Sequence, residues 1–168
     1  AAASMLGRAS KNGILDIRAV NIRDFTQNKH KKTDDTPFGG GAGMVMSAQP
    51  VFDALRSVDA QDKRILYMSP RGRKLDRDLV TDLAAEENLV ILCGHYEGID
   101  ERIIDFWKPE EISIGDYILT GGELAAMVVV DAVARMIPSV LGNQESHMEE
   151  SVYSGLIEYP QYTKPRVY

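Results

Sequence analysis

Residues 88–93 (NLVILC) are apolar at every position after the asparagine. A strand with no polar alternation is covered on both faces. A parallel sheet flanked by helices meets that condition, whereas a half-exposed antiparallel sheet does not. The rest of the chain agrees, because strand-like segments alternate with helix-period segments, the pattern of an α/β fold built on a mostly parallel sheet.

Residues 14–22 (ILDIRAVNI) alternate apolar and polar side chains and predict a strand. Residues 29–43 are polar, then glycine-rich after Pro37, and predict a loop. Pro50 opens a helix, with Val51, Ala54, Leu55 and Val58 at i, i+3, i+4 and i+7. Residues 64–68 (RILYM) predict a buried strand, Ser69-Pro70-Arg71-Gly72 a turn, and Leu75, Leu79 and Leu83 the next helix. A strand over 112–119 is interrupted by Gly115, and Gly121-Gly122 precedes a helix over 123–137. That helix is apolar nearly all round, so it is expected to be buried on most sides, in a core or a subunit interface. From Gly142 the chain is polar and predicts an exposed tail or linker.

A chain of 168 residues suits one domain with a sizeable core. No apolar run reaches the about 18 residues that span a bilayer, and no signal-peptide pattern is present, so no membrane association is expected. Cys93 is the one cysteine, which excludes an intrachain disulfide and a cysteine-based zinc site. These features predict a reducing, cytoplasmic setting. The net charge is −6 but unevenly spread: residues 1–35 carry seven Lys/Arg against four Asp, a net of +3. Within that region Lys29-His30-Lys31-Lys32 is either a solvated loop or a contact for a phosphate backbone.

Three expected strands end in glycine-containing loops: Ser69 to Gly72, Gly94 to Gly98, and Gly115 to Gly122. Ligands of open α/β sheets bind beyond the carboxyl ends of the strands, and glycine lets backbone approach them closely. Neither G-x-x-x-x-G-K-[ST] nor a G-x-G-x-x-G fingerprint after a first strand occurs, so a ligand without a triphosphate fits better. Cys93 reads as a buried structural residue, and no G-x-S-x-G elbow exists. His30, His95 and His147 have no metal-ligand spacing. The carboxylates are better candidates for chemistry: Glu97, Asp100 and Glu101 in one loop, Asp34 and Asp35 before the glycine run, and Glu149 and Glu150 in the tail. Asp131 and Arg135 stand i, i+4 on the apolar helix. They form either an ion pair or a place where Arg135 meets an anionic partner such as a substrate developing negative charge.

Four segments carry a resemblance: Thr33-Asp34-Asp35-Thr36-Pro37-Phe38-Gly39-Gly40-Gly41-Ala42-Gly43-Met44, Cys93-Gly94-His95-Tyr96-Glu97-Gly98-Ile99-Asp100-Glu101-Arg102, residues 113–124 (SIGDYILTGGEL) and residues 158–165 (EYPQYTKP). In this order they resemble the bacterial tRNA (guanine-N1)-methyltransferase family of the SPOUT superfamily, over nearly all of residues 7–168. The resemblance implies an α/β SPOUT fold with a deep C-terminal trefoil knot, a homodimer with active sites at its interface, and S-adenosylmethionine as methyl donor. It implies tRNA as partner, modified in the anticodon loop at N1 of the guanosine 3′ to the anticodon. It implies a cofactor site at Tyr67, Ser69, Pro70, Gly94, Tyr96, Glu97, Gly98, Ile114, Gly115, Tyr117, Leu119, Gly121 and Gly122. Arg135 matches the arginine that stabilises charge on the base. The family's general base is an aspartate, where this chain carries Glu150, with Glu149 as the rival. Mg2+ is a candidate cofactor, with Glu97 and Asp100 the available carboxylates.

The same resemblance divides the chain into a catalytic domain over 1–141, lacking the family's first strand, and a linker over 142–168. On the same resemblance, the family's C-terminal tRNA-binding domain is expected to be absent from this chain. Two alternatives stand beside the enzyme: a knotted, dimeric cofactor-binding domain that is inactive as a truncated chain, and an unrelated α/β nucleotide-binding enzyme.

Overall fold

A computed structural model describes residues 5–140, 160–165 and 167. The central sheet has three strands in the order β4-β3-β5, all parallel: β3 (Arg64–Lys74), β4 (Leu89–Cys93) and β5 (Glu110–Ser113). Helix α3 (Arg77–Ala84) connects β3 to β4, and α4 (Glu101–Trp107) connects β4 to β5. Two further helices, α2 (Ala48–Ser57) and α5 (Glu123–Met136), complete the layers.

The period of two along β3 decides which layer each side chain joins. Ile65 and Tyr67 face one side and pack with Val51 and Leu55 of α2, Leu92 of β4 and Ile103 of α4. Leu66 and Met68 face the other, with Leu79, Val80 and Leu83 of α3 and Ala125, Val129 and Val133 of α5. The sheet is therefore sandwiched between α2/α4 and α3/α5. That is why NLVILC lacks polar alternation. At the start of β3, half-buried Arg64 holds Asp82 and Glu110 at 2.7 Å and Glu86 at 3.3 Å, which ties α3 and β5 to the central strand.

A short antiparallel ribbon joins β1 (Asp34–Asp35) to β2 (Val45–Met46) around the glycine run. It docks on the loop after β4: Met46 N donates to Gly98 O (3.0 Å), Asp100 N to Met46 O (3.0 Å) and Glu97 N to Met44 O (3.1 Å).

Several sequence expectations need correction. Residues 14–22 form no strand. Gly13, at φ +71°, ends helix α1 (Met5–Lys11), and the amides of Ile14 and Leu15 donate back to Ala9 O. Ile14 and Leu15 are apolar because they pack on Ala9, Ala134 and Val140, not because they alternate across a sheet. Residues 69–72 are not a simple turn. They bulge inside β3, so that Met68 and Arg73 both pair with Ile112. The last strand begins at Glu110 and ends at Ser113, because Ser113 Oγ then turns the chain by bonding both O and N of Gly115. Helix α4 was not anticipated, although Asp100 capping Arg102 N (3.0 Å) ahead of Ile103, Ile104 and Trp107 is a readable start signal.

Candidate active site

The β3 bulge and the carboxyl ends of β4 and β5 open onto one cleft of about 470 Å³. Its walls are the β3 bulge, the loop after β4 and the loop between β5 and α5. All thirteen positions expected to hold a cofactor line it: Tyr67, Ser69, Pro70, Gly94, Tyr96, Glu97, Gly98, Ile114, Gly115, Tyr117, Leu119, Gly121 and Gly122. Segments spread over more than fifty residues thus converge because β3 bulges where its parallel neighbours β4 and β5 end.

Close packing between the loops explains the glycines. The amide of Gly122 donates to Gly94 O (2.9 Å), and His95 and Gly121 form an antiparallel bridge. A Cβ on Gly122 would lie 2.9 Å from Cys93 Cα and 3.0 Å from Gly94 N, and one on Gly94 would lie 2.9 Å from the Tyr67 ring. The Tyr67 hydroxyl bonds the backbone of Ile99, and its pKa is raised by burial and by the charge of Glu111. Tyr96 sits in the left-handed region at φ +59°, a strained conformation for a non-glycine residue at the rim of a site.

Glu123, in the first turn of α5, receives the Nε2–H of His95, a bond that spans the β4 and β5 loops. Burial pushes the Glu123 pKa up, but the His95 ring and a backbone N–H more than offset it, so the carboxyl titrates below its usual range. Cys93, half-buried beneath the same loops, is pushed up to about 11 by burial and then by the Glu123 charge. A thiol so protonated is no nucleophile at neutral pH.

The size and chemistry of the cleft fit an adenosyl amino acid. The volume falls within the range of small-molecule pockets, and backbone exposed by glycine supplies directional polar contacts beside apolar walls from Ile114, Leu119 and Ala125. A divalent cation fits less well. Asp100 is held by Arg102 at 2.6 Å and caps α4, which keeps its pKa low. Among the described residues no group of three His, Cys, Asp or Glu is placed to hold a metal ion.

Arg135 is not brought to this cleft. It lies thirteen residues beyond Gly122 along α5, about 20 Å at 1.5 Å per residue. Glu149 and Glu150 lie outside the described residues. Arg71, His95, Ile118 and Thr120 also line the cleft although they were not among the expected cofactor contacts, and Glu101, one of the candidate carboxylates, lies there too. His95 stood inside a quoted motif, but only the fold reveals Glu123 as its partner.

Residues 1–168 match the family described as tRNA (Guanine-1)-methyltransferase TrmD. A tRNA (guanine-N(1)-)-methyltransferase of Clostridium acetobutylicum is 58% identical over 163 residues, covering 96% of this chain and 67% of the relative. Proteins of the same name from Alkaliphilus oremlandii and Ruminiclostridium cellulolyticum are 56% and 55% identical. Each covers 98% of this chain, and the matches take in 70% and 72% of their own lengths.

Proposed function

The chain belongs to the tRNA (guanine-1)-methyltransferase family, and from that premise we propose that it methylates N1 of the guanosine 3′ to the anticodon in tRNA. The observation that carries the reading is the convergence of the three glycine loops on one cleft suited to S-adenosylmethionine. The inactive-domain alternative is not favoured, because the relatives at 52–58% identity are named as the enzyme over nearly the whole of this chain.

When bound, S-adenosylmethionine supplies an electrophilic methyl group. The β3 bulge, the Gly94 loop and residues 114–122 would hold the cofactor. Guanosine N1 bears a proton, and as that proton leaves, negative charge spreads to O6. A carboxylate base and a cation beside O6 therefore lower the barrier. Glu150, or its neighbour Glu149, takes the proton, and Arg135 stabilises the O6 charge. Asp100 is committed to Arg102, and Mg2+ enters no step of this reading.

Arg135 reaches such a site only from a second copy. The face of α5 turned away from the sheet carries Leu124 (57% exposed), Met127 (65%) and Val128 (46%), an apolar surface that a two-fold partner would cover. A two-fold axis crossing α5 makes the paired helices antiparallel. It carries the partner's Arg135 toward the cleft end of α5. Two such shared sites per homodimer follow. The finer fold is a trefoil knot, in which the segment after β5 threads past the β4 loop. The Gly122 to Gly94 bond and the His95–Gly121 bridge support that crossing. No helix among the described residues is long and apolar enough to cross a membrane. A tRNA substrate fits a cytoplasmic setting.

The deciding experiment is transfer of labelled methyl from the cofactor to an unmodified tRNA transcript with guanosine 3′ to its anticodon, beside one with adenosine there. Label on the first alone supports the reading, and label on neither defeats it.

A further inference from the structure

Phe38 is fully exposed at the corner of a tight turn. Gly40 N donates to Pro37 O (3.1 Å), and Gly39 takes the φ of +90° that such a turn requires at its third position. An aromatic ring held wholly in water is a large exposed apolar group displayed by a built turn. The turn belongs to the glycine run, whose Gly43 packs on the Glu97 side chain and whose Met44 O accepts from Glu97 N (3.1 Å). Phe38 is thus carried on a loop seated directly on one wall of the cleft.

On the other side of the two-residue strand β1 lies the basic tract. Its backbone is held in one shape. Arg23 Nη1 donates to Lys31 O (3.1 Å), Thr26 Oγ1 to Lys32 O (2.9 Å), His30 N to Asn28 Oδ1 (2.8 Å) and Gln49 Nε2 to Phe25 O (2.9 Å). Lys31 pairs with Asp24 at 3.7 Å, whereas Lys29 and Lys32 are exposed with no ion-pair partner among the described residues. Of the two aspartates between, Asp34 is half-buried in the ribbon with Met46, and Asp35 Oδ1 accepts from Thr36 N (2.8 Å).

An exposed aromatic a few residues along the chain from exposed cations, in a net-positive stretch of an acidic chain, is a combination that binds single-stranded nucleic acid. Bases stack on the ring, and phosphates meet the lysines. We propose that Phe38, with Lys29 and Lys32, forms a docking surface for the single-stranded anticodon loop, on which a nucleobase neighbouring the methylated guanosine stacks. This inference rests on tRNA being the substrate.

The test measures Kd for the unmodified tRNA transcript against salt concentration, using the full homodimeric protein and the variants Phe38→Ala, Phe38→Trp and Lys29→Gln/Lys32→Gln. Cofactor affinity by calorimetry and mass by light scattering are followed in parallel. Phe38→Ala is expected to raise Kd roughly 5- to 150-fold, with Phe38→Trp restoring it. The lysine pair is expected to make the slope of log K against log salt shallower by about 1.4. Cofactor affinity and mass stay unchanged. Unchanged tRNA binding in Phe38→Ala and the lysine variant overturns the proposal. So does weakened binding that coincides with dissociation into monomers, which would make Phe38 a contact between copies. If the unaltered protein binds the transcript but transfers no methyl group, the function reading fails while the docking surface stands.

Discussion

The hydrogen bond from His95 Nε2 to Glu123 Oε1 crosses directly over the α-carbon of Gly121. A Cβ there would lie 2.6 Å from Glu123 Oε2 and 2.7 Å from His95 Cε1. Both neighbours are ends of side chains and can give way. Gly122 is different, because its added Cβ meets the backbone of Cys93 and Gly94. Gly121→Ala should therefore keep the fold and weaken cofactor binding about 2- to 5-fold, the worth of an exposed pair. Gly122→Ala should cost about 1–3 kcal/mol of stability through overpacking. Thermal unfolding and calorimetric titration separate the two, and a Gly122→Ala protein as stable as its parent would contradict this packing.

Cys93 should remain a thiol through neutral pH. Its pKa of about 11 comes from burial and then from the Glu123 charge. Only the thiolate is alkylated, so iodoacetamide at pH 8 should react roughly 100-fold more slowly than with a thiol of ordinary pKa, and the rate should still climb above pH 10. Glu123→Gln removes a negative charge that disfavours the thiolate, so it should lower the pKa and speed the reaction. A rate that levels off near pH 9 in the parent protein counts against it.

The proposed sharing of the active site between copies predicts complementation. Arg135→Ala and Gly121→Val should each lose methyl transfer as homodimers, the first for want of the cation and the second for want of the cofactor. When the two are mixed and re-equilibrated, a heterodimer joins the intact cleft of one to the intact Arg135 of the other, and partial activity should return. No recovery, despite subunit exchange seen by mass, would place Arg135 on its own chain's site. Met127→Glu should yield monomers in light scattering at micromolar concentration, since it buries a charge in the apolar face of α5.

The general base should show itself through pH. Glu150→Gln is expected to keep fold and cofactor binding and to lose 10²–10⁴-fold in single-turnover rate. Part of that rate should return as pH approaches the pKa of guanosine N1, where the substrate deprotonates unaided. The Arg135→Ala defect should persist at high pH, because it removes charge stabilisation at O6. A normal Glu150→Gln beside a crippled Glu149→Gln moves the role by one residue, and normal rates in both exclude the pair.

Much of the fold was legible in local pattern. NLVILC announced a strand covered on both faces, and Leu79, Val80 and Leu83 do pack under it as a helix. The apolar sequence of α5 led to the expectation of burial on most sides. One face lies against the sheet through Ala125, Val129 and Val133, and the other, with Leu124, Met127 and Val128, is exposed. Residues 14–22 misled because periodicity reports where apolar side chains fall, not what they meet. Ile14 and Leu15 close a helix, and no sheet edge is there to receive them.

The motifs of the sequence carried the family and, through that resemblance, the thirteen cleft residues, while the hydrophobic period carried the α/β class, since both are written in consecutive side chains. Only the tertiary structure decided what those residues do to one another. It set the bond of His95 to Glu123 across twenty-eight positions and the backbone contact that crowds a side chain at Gly122. Such relations depend on which loops meet where the parallel strands end, contacts that no spacing along the chain encodes.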